Sequence, residues 1–170
     1  MGAEQPDGGG PGLDIRGRAE LAFVERALDE LDAFWEGRSH AVEPLDRTLF
    51  TLAISEVLTN IVQHGAAGGS AAPSTGEGEG EGAGAGAAAG PVEIRMTISA
   101  SRDELRVVIA DTAPPAGIDW DAVAMPDADA ESGRGLALAR SSLDEFAHAS
   151  EDGGNTWTLS RRIARVDSGE

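Results

Sequence analysis

Residues 65–90, "GAAGGSAAPSTGEGEGEGAGAGAAAG", contain no large apolar side chain, so the chain can bury itself only through what lies on either side. The pattern ahead of this segment is helical, and the pattern behind it alternates like strands. Helices of one amphipathic face cannot stand without a surface to cover. The two flanks are therefore expected to share one core, interrupted by a disordered insertion over 65–90 of the flexible-linker type. Its "EGEGEG" run has acidic side chains, but the alternating glycines give no fixed calcium-ligand geometry.

Ahead of the insertion, "MGAEQPDGGGPG" offers little to bury, and residues 1–15 are expected to be a disordered tail. Over 18–36, Leu21, Val24, Leu28, Leu31 and Phe34 or Trp35 recur at helical spacing. A break at "GRSHAVEP" precedes a second helix that runs to about His64, with Pro44 suited to its first turn and Asp46 to its positive end. Behind the insertion, "VEIRMTISAS" and "ELRVVIAD" read as an antiparallel hairpin. Residues 112–132 carry three prolines and no sustained period, which suggests a long loop. The stretch "SGRGLALARSSLDEFAH" places Leu136, Ala139, Leu143 and Phe146 on one helical face, and a hairpin turning at "GGN" closes the domain. The expected order is ααββαββ, an α+β two-layer sandwich with a mixed, mostly antiparallel sheet covered by helices. It spans 16–164, with 165–170 as a short tail.

Charge and composition exclude several classes of function. A formal net charge of −17 opposes binding to a phosphate backbone, so direct nucleic-acid binding is not expected and a basic protein surface is the better partner. The chain has no cysteine, which rules out disulfides and thiolate metal sites. No signal-peptide pattern or long apolar run points to export or membrane insertion, and a cytoplasmic setting is expected.

The chemistry concentrates in "SEVLTNIVQHG", residues 55–65. At about 100° per residue, Ile54, Val57, Leu58 and Ile61 form an apolar stripe, Ser55, Thr59 and Gln63 a wet one, and Glu56, Asn60 and His64 a third. Leu45, Leu49 and Leu52 continue this third stripe upstream, so a face expected to be buried turns polar halfway along the helix. Buried carboxylates and amides without partners cost a few kcal/mol. A helix end emerging into solvent would explain the switch equally well on periodicity alone. Asp111 at a strand end, the long loop, and Gly133 and Gly135 at a helix start are the parts that a nucleotide site needs, a base anchor, a lid and a phosphate-binding helix N-terminus, while each taken alone is more often a turn residue or a plain helix start.

The order of these parts is similar to that of the ATP-binding domain shared by gyrase, MutL, histidine kinases and bacterial anti-sigma-factor serine kinases, a fold of the Bergerat type. The resemblance covers roughly residues 18–163 and is strongest to the anti-sigma-factor kinases, whose N box reads much like "SEVLTNIVQHG". It implies a protein serine/threonine kinase using ATP and Mg²⁺, regulated by partner switching between a sigma factor and a STAS-domain anti-anti-sigma protein, and it allows a homodimer. By the same resemblance Glu56 is the general base, Asn60 holds Mg²⁺, and His64 sits on the phosphate side. Asp111 accepts the adenine amino hydrogen, with Ala113 beside it, while Gly133, Arg134, Gly135 and Leu136 form the phosphate-side loop and helix start. The residue types suit these tasks. The family's Asp-x-Gly-x-Gly box reads "DTAPPAG" here, with Ala113 at the first glycine and Pro115 at the second unless Gly117 is shifted to meet it. Asn155 and Thr156 can each align with the threonine of the last hairpin, and Thr156 is the residue named. His40 and His148 are expected at the surface, and Trp35, Trp120 and Trp157 in core or lid packing. A non-catalytic partner-binding module of the same fold is the alternative function.

Overall fold

The computed structural model describes residues 12–38, 42–65, 90–115, 134–151 and 153–163. The elements are β1 (Leu13–Arg18), α1 (Leu21–Glu36), α2 (Pro44–Gly65), β2 (Glu93–Ala100), β3 (Glu104–Asp111), α3 (Arg134–Ser141), β4 (Glu145–Glu151) and β5 (Gly154–Arg162). The five strands form one sheet in the order β1-β2-β3-β5-β4. Every pairing among the described residues is antiparallel. Alternation sends Ile94, Met96 and Ile98 of β2, Leu105, Val107 and Ile109 of β3, and Trp157 and Leu159 of β5 to the same buried face. Helices cover that face, giving the expected two-layer α+β sandwich.

The N-terminal reading needs correction. Residues 13–15 are not a disordered tail: they begin β1, which pairs Leu13 with Ile98 and Ile15 with Met96. Two apolar residues after a glycine-rich stretch make a weak local signal, because an edge strand takes its hydrogen bonds from a partner distant in sequence. Residues 1–11, the insertion over 66–89, the loop over 116–132 and the tail over 165–170 lie outside the described residues, as do Gly133, His40 and Trp120.

Helix α1 starts at Leu21, three residues later than its periodicity suggests, because Gly17 and Arg18 belong to β1. It buries Phe23, Val24, Ala27, Leu31, Phe34 and Trp35. The Trp35 indole crosses to α2 and donates to Thr51 Oγ1 at 3.0 Å. Helix α2 buries Phe50, Ala53, Ile54, Val57, Leu58 and Ile61. The leucines upstream of Glu56 are not a buried face: Leu45 is 65% and Leu52 37% exposed. The stripe runs along the flank of the buried arc, so its polarity changes at a boundary and not within the core.

Helix α3 is also shorter than expected. It ends at Ser141, and Phe146 lies on β4, edge-on to Trp157 with ring centroids 6.1 Å apart. Leu143 and Phe146 are three apart, a spacing that also accommodates one residue in a turn and one on a strand. The turn is fixed by Asp144, whose carboxylate accepts from the Arg162 backbone N–H at 2.8 Å and from its guanidinium at 2.9 Å. Arg161 ties the layers together: its guanidinium bonds Asp46 of α2 at 2.7 Å and donates to the Ser142 carbonyl. Asp46 therefore serves a buried ion pair as well as the start of its helix.

Candidate functional site

Glu56 and Asn60 stand one turn apart on α2, both half-buried, at the edge of the helix's apolar face. The first turn of α3 meets them. A Cβ atom at Gly135 would fall 1.7 Å from Glu56 Oε2, so the missing side chain leaves the place that the Glu56 carboxylate occupies against α3. The Glu56 carboxylate thus lies at the positive end of α3, where the helix dipole favours negative charge. Leu136 next to it is half-buried and packs on the core. His64 occupies the last turn of α2 and Arg134 the first position of α3; their side chains are outside the described residues.

The second part of the site is the end of β3. Asp111 is 5% exposed and lies on the helix-covered face of the sheet, in register with Asn155. Its Oδ1 accepts from the Ala113 backbone N–H at 2.9 Å and from Asn155 Nδ2 at 2.8 Å. Its Oδ2 accepts from Trp157 Nε1 at 3.2 Å. A buried carboxylate at a strand end would otherwise be costly; three converging donors offset that cost and fix its orientation. Ala113 therefore contributes its N–H to Asp111, and its side chain is buried.

The register corrects one assignment. Thr156 pairs with Ala110 and is exposed on the opposite face of the sheet, so Asn155 and not Thr156 stands beside Asp111. Side chains alternate along a strand, and Trp157 shares Asn155's face. The alternation of the closing hairpin, anchored on the buried Trp157 and Leu159, would have chosen Asn155 from sequence. Sequence reasoning also missed the partners that reach this pair. Ser150 of β4 donates to Asn155 Oδ1 at 2.7 Å. His148, expected at the surface, is half-buried against Trp157, with ring centroids 4.1 Å apart. Burial lowers its pKa below the ordinary 6.5, outweighing the Asn155 hydrogen bond and the charge of Asp111.

An open groove of about 650 Å³ is lined by Arg16, Arg95, Ala110, Gly154 and Thr156. It faces the uncovered side of the sheet, reaching Asp111 and Asn155 only where it wraps the strand ends, and Glu56 and Asn60 have no part in it. Its volume is therefore not a measure of the interlayer site.

The residues present suit an adenine nucleotide. Among the described residues Asp111 Oδ2 accepts from Trp157 alone and has capacity for one more donor, and the polarity of the α3 N-terminus, with the Glu56 carboxylate seated over Gly135, suits an anion. Among the described residues no group of three or more His, Cys, Asp or Glu is able to hold a metal ion. A magnesium ion would rest on Asn60 and on phosphate oxygens, the sparse protein ligation common for this ion. No helix among the described residues is long and apolar enough to cross a membrane.

Compared with known families, residues 17–161 match the histidine kinase-like ATPase domain. No curated protein matches the chain. Among solved structures it is similar to the histidine kinase domain of a blue-light-activated histidine kinase from Erythrobacter litoralis EL346. That similarity has 19% identity and a TM-score of 0.44, covering 84% of this chain and 60% of that one. It is also similar to the nucleotide-free catalytic domain of the histidine kinase ThkA, with 14% identity and a TM-score of 0.40, covering 90% and 99% of the two chains. The chain thus spans 60% of the length of the first of these structures.

Proposed function

The chain belongs to the histidine kinase-like ATPase domain family, and we propose that it is an ATP-binding protein serine/threonine kinase of anti-sigma-factor type. The observation that carries this reading is the contact between Glu56 and Gly135. It sets a carboxylate beside the helix N-terminus that suits phosphate, and a scaffold that only holds another protein has no need of it. ATP supplies the transferable phosphoryl group. Glu56 takes the proton from the attacking serine hydroxyl, Asn60 holds Mg²⁺ through its amide oxygen, and the N-terminal end of α3 favours the phosphates. By the family resemblance His64, Gly133 and Arg134 would serve the phosphate side. Asp111 accepts one hydrogen of the adenine amino group.

The partners proposed are a sigma factor, held while the kinase is unopposed, and a STAS-domain anti-anti-sigma protein that captures the kinase and is phosphorylated by it. The net charge of −17 suits a basic partner surface. The setting proposed is the cytoplasm, and a homodimer fits the reading.

A second reading, a non-catalytic partner-binding module with weak or no nucleotide binding, is favoured by Ala113 and Pro115 where the family's box has glycines. Titration calorimetry with Mg-ATP, followed by phosphotransfer to a STAS-domain protein, separates the two. The kinase reading expects binding, transfer, and a loss of transfer by roughly 10²–10⁴-fold in Glu56→Gln with binding kept within a few-fold. Tight partner binding without transfer, unchanged by Glu56→Gln, would leave only the module.

A further inference from the structure

Helices α1 and α2 meet where Trp35 bonds Thr51, and beside that contact an open cleft of about 560 Å³ is lined by Asp32 and Glu36 of α1 and by Arg47, Thr48 and Thr51 of α2. Arg47 is half-buried in it. Its Nε is sealed from solvent and no hydrogen bond reaches it. Among the described residues the guanidinium forms no ion pair either, although two carboxylates line the same cleft. A charged group stripped of part of its water without a partner is destabilising, so native proteins rarely keep one without a use for it. The two Nη atoms also lack a partner but are not sealed, and they open on the cleft. Together they make the fork that grips one carboxylate through two parallel bonds.

The surroundings decide what such a carboxylate belongs to. Asp32 and Glu36 are exposed and stand one helical turn apart, and in a chain of net charge −17 they repel a free anion approaching Arg47. A purely basic segment would satisfy them and leave Arg47 as it is. A segment with an acidic side chain between basic ones answers all three charges, and a helix presents such residues on one stripe at four-residue spacing. We propose that the α1–α2 cleft is a docking site for a helix of another protein, which places a carboxylate on Arg47 between basic side chains facing Asp32 and Glu36. A partly desolvated arginine beside a tryptophan, rimmed by charge, is the composition of an interface hot spot. Glu56 lies nine residues further along α2, roughly 14 Å at the helical rise, so the cleft and the interlayer site occupy different stretches of the helix. The inference does not depend on nucleotide binding or phosphotransfer.

The test titrates the full chain with synthetic helical peptides of equal length, one with glutamate flanked by lysines at four-residue spacing, one with lysines alone and one with glutamates alone. NMR follows the Arg47 Nε–H and the Trp35 indole N–H. The mixed peptide should shift both signals and bind roughly tenfold more tightly than either single-charge peptide, the scale of one charge-assisted hydrogen bond. Arg47→Met keeps an apolar stem and removes the fork. It should bring the mixed peptide down to the affinity of the lysine peptide, read at the Trp35 indole, with the melting temperature unchanged or raised because the unpaired Nε is gone. Arg47→Lys should fall between the two, since it keeps the charge without the fork. Glu36→Gln, at an exposed position, leaves the packing alone and should weaken only the lysine-bearing peptides. No shift in the wild type at millimolar peptide, equal binding by Arg47→Met, or equal affinity for the mixed and all-lysine peptides would overturn the proposal. Sodium acetate shifting both signals as strongly as the mixed peptide would also overturn it, because the cleft would then take a free carboxylate. So would a melting temperature lowered by more than about 4 °C in Arg47→Met, which would assign Arg47 to holding the helices together.

Discussion

Glu56 and Gly135 touch across the seam between α2 and α3: a methyl group on Gly135 would come within 1.7 Å of Glu56 Oε2 and 2.5 Å of its Cδ. The atoms in conflict belong to the far end of a flexible side chain, so Gly135→Ala should displace the carboxylate and spare the fold. Phosphotransfer should fall roughly 10²-fold, the scale of an ångström-sized misplacement. The melting temperature should change by less than about 4 °C. Calorimetric melting beside a phosphotransfer assay checks this, and unchanged transfer would remove Glu56 from the reaction.

Asn60→Ala separates metal binding from proton transfer. It removes an amide oxygen one turn beyond Glu56, so Mg-ATP affinity should fall together with turnover, and raised Mg²⁺ should restore part of both. Glu56→Gln should leave affinity within a few-fold. Titrations of both variants at two magnesium concentrations decide the matter, because a folding defect would strike the two alike.

Ile15→Ala tests the first strand. Ile15 is 8% exposed and faces the core beside Met96, so its truncation should cost about 2–4 kcal/mol. Urea denaturation would register this as a lower midpoint at unchanged slope. A midpoint equal to that of the wild type would return residues 13–15 to an unattached tail.

His148 gives the fold a pH dependence of known sign. Its pKa in the folded chain is lowered below 6.5 because burial against Trp157 disfavours the charged ring. The unfolded chain then binds the proton more readily, so the contribution of neutral His148 is complete above pH 6.5 and is lost as pH falls through the folded pKa. His148→Phe keeps the stacking and abolishes the titration. The stability gap between wild type and variant, followed by denaturation from pH 8 to pH 5, should be constant at the alkaline end and move against the wild type below pH 6.5.

The hydrophobic alternation of β2 and β3 and the helical period of α1 and α2 were legible in the sequence, because each element buries one face and repeats its signal over two turns or more. Beginning and end were harder to read. The strand β1 holds only Leu13 and Ile15 as its inward-facing large residues, and β4 pairs Phe146 with polar neighbours, so neither carries a period long enough to be distinguished from a tail or a helix. At the site, Glu56, Asn60 and Asp111 stood out as polar residues at the edges of apolar patterns. Asn155 and Ser150 did not, since their meaning depends on strand register: Asn155 lies opposite Asp111 and Ser150 opposite Asn155. The reach of Glu56 to Gly135 likewise depends on how two helices cross.

The strand order also has a kinetic consequence. Two of the four pairings join neighbours in the chain, β2 with β3 and β4 with β5, and close through short turns at Ala100↔Leu105 and Glu151↔Gly154. The junction between these hairpins, β3 with β5, joins segments far apart in sequence, and its last register pair is Asp111↔Asn155. Local hairpins form faster than distant pairings, so the buried acceptor should come into existence only at the late step that docks one hairpin on the other. Substitutions at Val107 and Leu159, which meet at that junction, should therefore slow folding less than they speed unfolding, a difference that chevron measurements can read. A chain caught before docking would carry both hairpins and no means of recognising a base, so nucleotide would act as a ligand of the completed sheet alone and stabilise it by mass action.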